Sequence, residues 1–173
     1  MDHVVLLRGI NVGGINIKMV DLRTALSDAG FGDVRTVLAT GNVRLTSPKK
    51  GSALKSSIEK TLADAFGYEA WVILLTPTEL DDIVSSYPFD PEREGWHPYV
   101  VFGSNRDHLG ELASLSDTLD PDLERVSLSD SVLYWEVVKG NTTDSLVGKT
   151  TSKAKYKPTT TTRNLRTLIK MLA

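Results

Sequence analysis

The chain has 173 residues, of which 40 % are hydrophobic and 24 % charged, a globular balance at the size of one ordinary domain or two very small ones. It contains no cysteine and its net charge is -2, which excludes disulfides, thiolate nucleophiles and cysteine zinc sites and fits a reducing, cytoplasmic compartment. The charge is uneven along the chain: residues 77–136 carry 14 acids and 3 bases, and residues 139–170 carry 8 bases and 1 acid. Solvated faces of one fold account for this, and so does an anion-binding face near the C-terminus.

The start, MDHVVLLRGI, has an acidic second residue and only a short apolar run, so it reads as a first strand rather than a signal peptide. Val4 to Leu7 is that strand. Met19, Leu22, Leu26 and Ala29 recur at helical spacing, and Gly30 closes the helix. Val34 to Leu38 and Val43 to Thr46 are short strands joined by ATGN, a hairpin turn. Residues 52–66 suit a helix and Trp71 to Leu75 a further strand. The order is βαββαβ, the split pattern of ferredoxin-like folds.

Thr76 and Pro77 then open a short helix, followed by the Pro- and Gly-bearing loop PFDPEREGWHP, the expected boundary. The second half repeats the order less clearly: strand Tyr99 to Phe102, helix from about Asp107, strand Arg125 to Leu128, and strand Val132 to Val138. YVVFGSN echoes VVLLRGIN, as a structural duplication would. The division expected is a first ferredoxin-like half over 1–76, a helix and connecting loop over 77–98, and a second α/β half over 99–173. Its Thr/Lys-rich segment shows little periodicity. Leu165, Leu168, Ile169 and Leu172 form one apolar helix face at the end, with a threonine at 161 or 162 as N-cap. The fold class is α+β, two ferredoxin-like halves and a C-terminal helix.

In βαββαβ topology the loop after strand one and the turn before strand three emerge at the same end of the sheet. Arg8, Gly9, Asn11, Gly13 and Gly14 should therefore lie near Thr40, Gly41 and Asn42, where backbone N–H groups, amides and a guanidinium suit an anion or polar small molecule. The competing reading is that the glycines only let the chain turn from strand to helix. A second constellation is TTTTRNLRTL, in which Thr162, Arg163 and Asn164 at a helix start would bind phosphate or carboxylate. Its competing reading is a helix docked on an acidic surface of the same protein.

Familiar catalytic patterns are absent. GINVGGI has glycines at the P-loop spacing, but Ile15 stands where the lysine belongs. There is no G-x-G-x-x-G, no G-x-S-x-G and no paired histidine motif, since His3, His97 and His108 are far apart. No metal and no cofactor is expected. Asp81 with Asp82, or Asp90, Glu92 and Glu94, would supply carboxylate pairs but read as exposed charges. Specific RNA recognition is not expected, because VVLLRG and NVRLTS lack the stacking aromatics of ferredoxin-like RNA-binding sheets. Non-specific nucleic-acid contact through Lys149, Lys153, Lys155 and Lys157 stays open. Trp71, Trp96 and Trp135 read as core or junction residues, with Trp96 the best placed to line a cleft between the halves.

The stretches LLRGINVGGINIKMVDLRTAL, VRTVLATGNVRLTS and TTTTRNLRTLIKM together resemble the bacterial domain of unknown function 1697 family. Its members share an L-R-G-I-N-V-G-G strand end, an S-G-N-V hairpin and a T-x-R-N-x-x-T motif. Thr40 takes the place of the usual serine and keeps the hydroxyl, and Leu165 stands where an aromatic is common. The resemblance implies two ferredoxin-like halves and brings no established activity. The expectation is that the three motifs meet in one cleft between the halves and bind an anionic small molecule, a phosphate-bearing one included. The alternative is a protein-interaction or structural module without ligand chemistry.

Overall fold

Val4, Val5, Leu6 and Leu7 are all buried, so the last four residues of β1 (Asp2–Leu7) are covered on both faces and are apolar throughout rather than alternating. The computed structural model describes residues 1–8, 15–38 and 41–173. Around β1 lie α1 (Met19–Asp28), β2 (Gly32–Thr36), β3 (Asn42–Thr46), α2 (Gly51–Phe66) and β4 (Val72–Leu75). The strands form one sheet in the order β2-β3-β1-β4 with every pair antiparallel. That is the ferredoxin-like arrangement.

Helical periodicity builds the core on one face of this sheet. Leu22 and Leu26 of α1 and Leu54, Ile58 and Leu62 of α2 pack against Val5, Leu7, Val43 and Leu45. At 3.6 residues per turn each spacing returns to the same helix face. After α2 the chain turns at Gly67, left-handed at φ 67. Thr76 and Glu79 form a reciprocal capping box at the start of α3 (Pro77–Ser85): Glu79 N–H donates to the Thr76 hydroxyl and Thr76 N–H to the Glu79 carboxylate.

The second half contains β5 (Trp96–Gly103), α4 (Arg106–Ala113), β6 (Glu124–Leu128), β7 (Val132–Val138), α5 (Leu146–Thr151), β8 (Thr160–Asn164) and α6 (Leu165–Leu172). Its sheet runs β6-β7-β5-β8, again antiparallel. The first half's order is thus repeated strand for strand. The chain divides into two compact units, Met1–Asp81 with Ile169–Ala173, and Asp82–Leu168. In the first, Arg44 donates to the Met171 carbonyl at 2.8 Å, holding the last turn of α6.

Two expectations about the tail are corrected. Residues 160–164 are a strand rather than a helix start, paired with β5 through Val101↔Thr162 and Val100↔Arg163. The N-cap of α6 is consequently Asn164, whose side-chain oxygen accepts the Arg166 N–H at 2.9 Å, and not Thr161 or Thr162. The apolar stripe also shifts. Leu165, Leu168 and Met171 are buried, whereas Ile169 is exposed. The Thr/Lys-rich segment further holds α5, which the sequence did not reveal. Ser145 caps it from within, and the buried carboxylate of Glu124 accepts from the Leu146 and Val147 N–H groups.

The loop after α3 lies on the second sheet. Tyr87 donates to the Trp135 carbonyl, Tyr134 donates to the Ile83 carbonyl, and Arg93 pairs with Glu136 of β7 at 3.0 Å. Trp96 is buried and has the Arg93 guanidinium 3.7 Å from its ring centre.

Candidate functional site

Antiparallel pairing brings three distant segments to one end of the first sheet. Leu6 of β1 faces Asn42 of β3, and Leu7 faces Val72 of β4. One residue on, Leu7 N–H donates to the Gly41 carbonyl at 2.8 Å and Arg8 N–H to the Trp71 carbonyl at 3.1 Å. Arg8 is therefore fixed at the strand end between the β2–β3 turn and the residue that leads into β4. Gly41 thus holds Leu7, the residue before Arg8. Gly9, Asn11, Gly13, Gly14 and Thr40 lie outside the described residues.

The turn has a demanding backbone. Leu38 and Gly41 both take positive φ, at 59 and 75, a conformation glycine adopts freely and leucine pays for in steric strain. Asn42 is fully buried. Its side-chain amide donates to the Val37 carbonyl at 3.0 Å, and its own carbonyl accepts the Val37 N–H. Asn42 thus closes the hairpin that positions Gly41.

Two cations gather on one aromatic ring here. The Arg8 guanidinium lies 5.7 Å from the Trp71 ring centre and the Lys55 ammonium 5.1 Å from it, both within the range of a cation–π attraction. Lys55 also pairs with Glu59 one helical turn along α2, and the Glu59 carboxylate accepts the Val72 N–H at 3.3 Å. Burial holds the Arg8 guanidinium below its usual pKa. A partly desolvated cation backed by an indole attracts an anion more strongly than one in open water. Trp71, Lys55 and Glu59 were not among the residues the sequence singled out for a site. The signals were there: Trp71 opens β4 beside the end of β1, and Lys55 and Glu59 stand at i, i+4.

Thr162, Arg163 and Asn164 belong to the other compact unit and sit differently from the expectation. Arg163 is buried within β8, and its guanidinium donates to the Thr161 hydroxyl at 2.5 Å and the Thr162 carbonyl at 3.1 Å. Desolvation brings its pKa down to about 10. It is an internal strand residue rather than a cation at a helix mouth. Among the basic residues of the tail, Lys155 pairs with Glu111, which also accepts from the Tyr156 hydroxyl.

Other readings gain little from the geometry. Among the described residues no group of three or more acidic or histidine side chains is arranged for a metal ion. No described helix is long and apolar enough to cross a membrane. Asp90 and Asp120 use their carboxylates to accept from the N–H groups of Glu92 and Asp122, as turn residues do. On the second sheet, Val100, Phe102 and Tyr134 are buried along one face and Val101, Leu133 and Trp135 along the other.

Comparison with known proteins places the chain among uncharacterised relatives. No curated protein matches it. Among solved structures, the conserved bacterial protein SP0830 from Streptococcus pneumoniae is similar over 99% of this chain and 96% of its own, with 21% sequence identity and a TM-score of 0.79. That likeness is one of fold. Residues 1–134 match the family described as protein of unknown function, DUF1697; the match takes in LLRGINVGGINIKMVDLRTAL and VRTVLATGNVRLTS, and TTTTRNLRTLIKM lies beyond it. The chain is a member of the DUF1697 family.

Proposed function

We propose that the first half binds a small anionic molecule, a phosphate-bearing one in particular, at the sheet end where Arg8, Lys55 and Trp71 meet beside the Gly41 turn. The observation that supports this most is the clustering of Arg8 and Lys55 around a single indole. Both cations lie within cation–π reach of that ring, so an anion seated beside it would face two positive groups of fixed position. Binding, rather than catalysis, is the reading, because the carboxylate at hand, Glu59, is engaged by Lys55 and the Val72 N–H. A cysteine-free chain suits a cytoplasmic location.

A thermal-shift panel of inorganic phosphate, sulfate, nucleotides and sugar phosphates tests this. A ligand at about a hundredfold its Kd adds about 2.7 kcal/mol, roughly 5–10 °C of Tm at this size. The expected result is such a shift for at least one phosphate compound, lost in Arg8→Ala. Equal shifts in wild type and Arg8→Ala, or none for any anion, reject the site.

A further inference from the structure

We propose a second small-molecule site, wholly within the second half, that takes a monocarboxylate with a compact aromatic or branched apolar body. A cleft of about 290 Å³ lies beside edge strand β6, walled by Phe89, Leu119, Pro121 and Val126, with Arg125 and Glu124 as its charged members. That volume is at the lower end for small-molecule sites and suits a ligand of fragment size. The walls call for an apolar body.

The charged members decide what else the ligand carries. The Glu124 carboxylate is already used: it accepts from the Trp135 indole at 3.1 Å and from the Leu146 and Val147 N–H groups. Arg125 is used only in part. Its Nε and Nη2 both donate to one oxygen of Glu136, at 3.0 and 2.6 Å, and its guanidinium lies 5.0 Å from the Phe89 ring centre. Its Nη1 has no hydrogen-bond partner among the described residues. Glu136 is simultaneously paired with Arg93, so within this ion cluster one buried carboxylate faces two guanidinium groups, while Glu124, the cleft's other carboxylate, is met by its own three N–H donors. A guanidinium whose plane is set by a two-point contact and a ring, with donors to spare, is preorganised for an oxyanion. Its half-exposed side chain keeps it reachable from solvent.

Phenylacetate is the probe, with phenylacetamide as its neutral isostere, followed by amide resonances in a titration of the whole chain. The expected result is saturable movement of the Arg125 and Val126 amides with a Kd of about 1 mM or tighter, in the range a ligand of this size reaches. Phenylacetamide should bind at least about tenfold more weakly, since it forfeits the charge-assisted hydrogen bond. Ser116→Trp, at an exposed position on the cleft wall, should weaken phenylacetate by at least about tenfold through steric filling of the cleft, with the melting temperature kept. Arg125→Gln should do the same, and Ser116→Trp decides the matter if that variant fails to fold. Arg8→Ala should leave phenylacetate binding unchanged, which separates this site from the one in the first half. Equal affinity for acid and amide, no movement of these amides up to about 10 mM, unaltered binding in Ser116→Trp, or loss in Arg8→Ala would each overturn the assignment.

Discussion

Arg8 gives its backbone N–H to the carbonyl of Trp71 at 3.1 Å, while its guanidinium lies 5.7 Å from the centre of the same residue's ring. One residue thus fixes both ends of the other: the hydrogen bond sets the strand end and the ring directs the charge. Lys55 approaches that ring as well. The ring is consequently a positioning device, and replacing it should separate placement from charge. Trp71→Leu keeps an apolar side chain but removes the attraction of about 0.5–1 kcal/mol per cation. With two cations on the ring the expected outcome is a roughly five- to thirtyfold loss of phosphate affinity, read by titration, with Trp71→Phe closer to wild type.

Gly41 belongs to the turn whose carbonyl holds Leu7, the residue before Arg8. At φ 75 an alanine carries the left-handed penalty of about 1–2 kcal/mol. Gly41→Ala should lower the unfolding free energy by that amount, read as a lower urea midpoint at unchanged slope, and weaken phosphate binding, because the Gly41 carbonyl anchors the Leu7 N–H. A variant with wild-type stability would show that the turn relaxes to another conformation.

Glu136 is the buried partner of two arginines whose side chains are 37% and 47% exposed. Removing its charge leaves two guanidiniums facing each other, and partial exposure moderates the cost, so Glu136→Gln should destabilise by about 2–3 kcal/mol. Lys60→Ala is the contrast. It breaks an ion pair with Asp64 whose members are 77% and 66% exposed, and should cost no more than about 0.5 kcal/mol. Chemical denaturation of the two variants gives the comparison directly.

His97 gives the chain a pH dependence of known sign. Burial, helped by Lys139 and Arg166, lowers its pKa from the usual 6.5, so between the folded and unfolded values the unfolded chain binds more protons. Stability then rises with pH through that window. The penalty is absent above about pH 6.5 and grows as pH falls toward the folded pKa. Wild type should lose stability relative to His97→Gln on acidification from pH 8 to 5, measured by urea denaturation at each pH. A constant difference between the two would remove His97 from the account.

The first half was legible because its signal is apolar periodicity: Leu54, Ile58 and Leu62 mark a helix face, and the unbroken run Val4 to Leu7 marks a strand covered on both sides. β8 carries no such signal. Its buried positions are Thr160, Thr161 and Arg163, polar residues that belong there because threonine suits a strand and the arginine finds internal acceptors. Threonine runs before a helix look like caps, so the sequence pointed to the right residues and the wrong element. α5 was hidden for a different reason. It is six residues long, and one of its caps, Glu124, comes from 22 residues upstream, a contact that local patterning does not encode. At the first sheet's end, βαββαβ topology pairs the end of β1 with the Gly41 turn through the Leu7 N–H. It did not single out Trp71, since an aromatic at the start of a strand looks the same whether it fills a core or backs a cation.

The most direct test of the binding account is a titration of the whole chain with inorganic phosphate, followed through the backbone amides of Arg8 and Gly41 and the Trp71 indole N–H. Saturable movement of all three, abolished in Arg8→Ala and partly kept in Arg8→Lys, is the predicted result. Resonances that stay still at high phosphate, or that move equally in Arg8→Ala, would contradict an anion site at this end of the sheet.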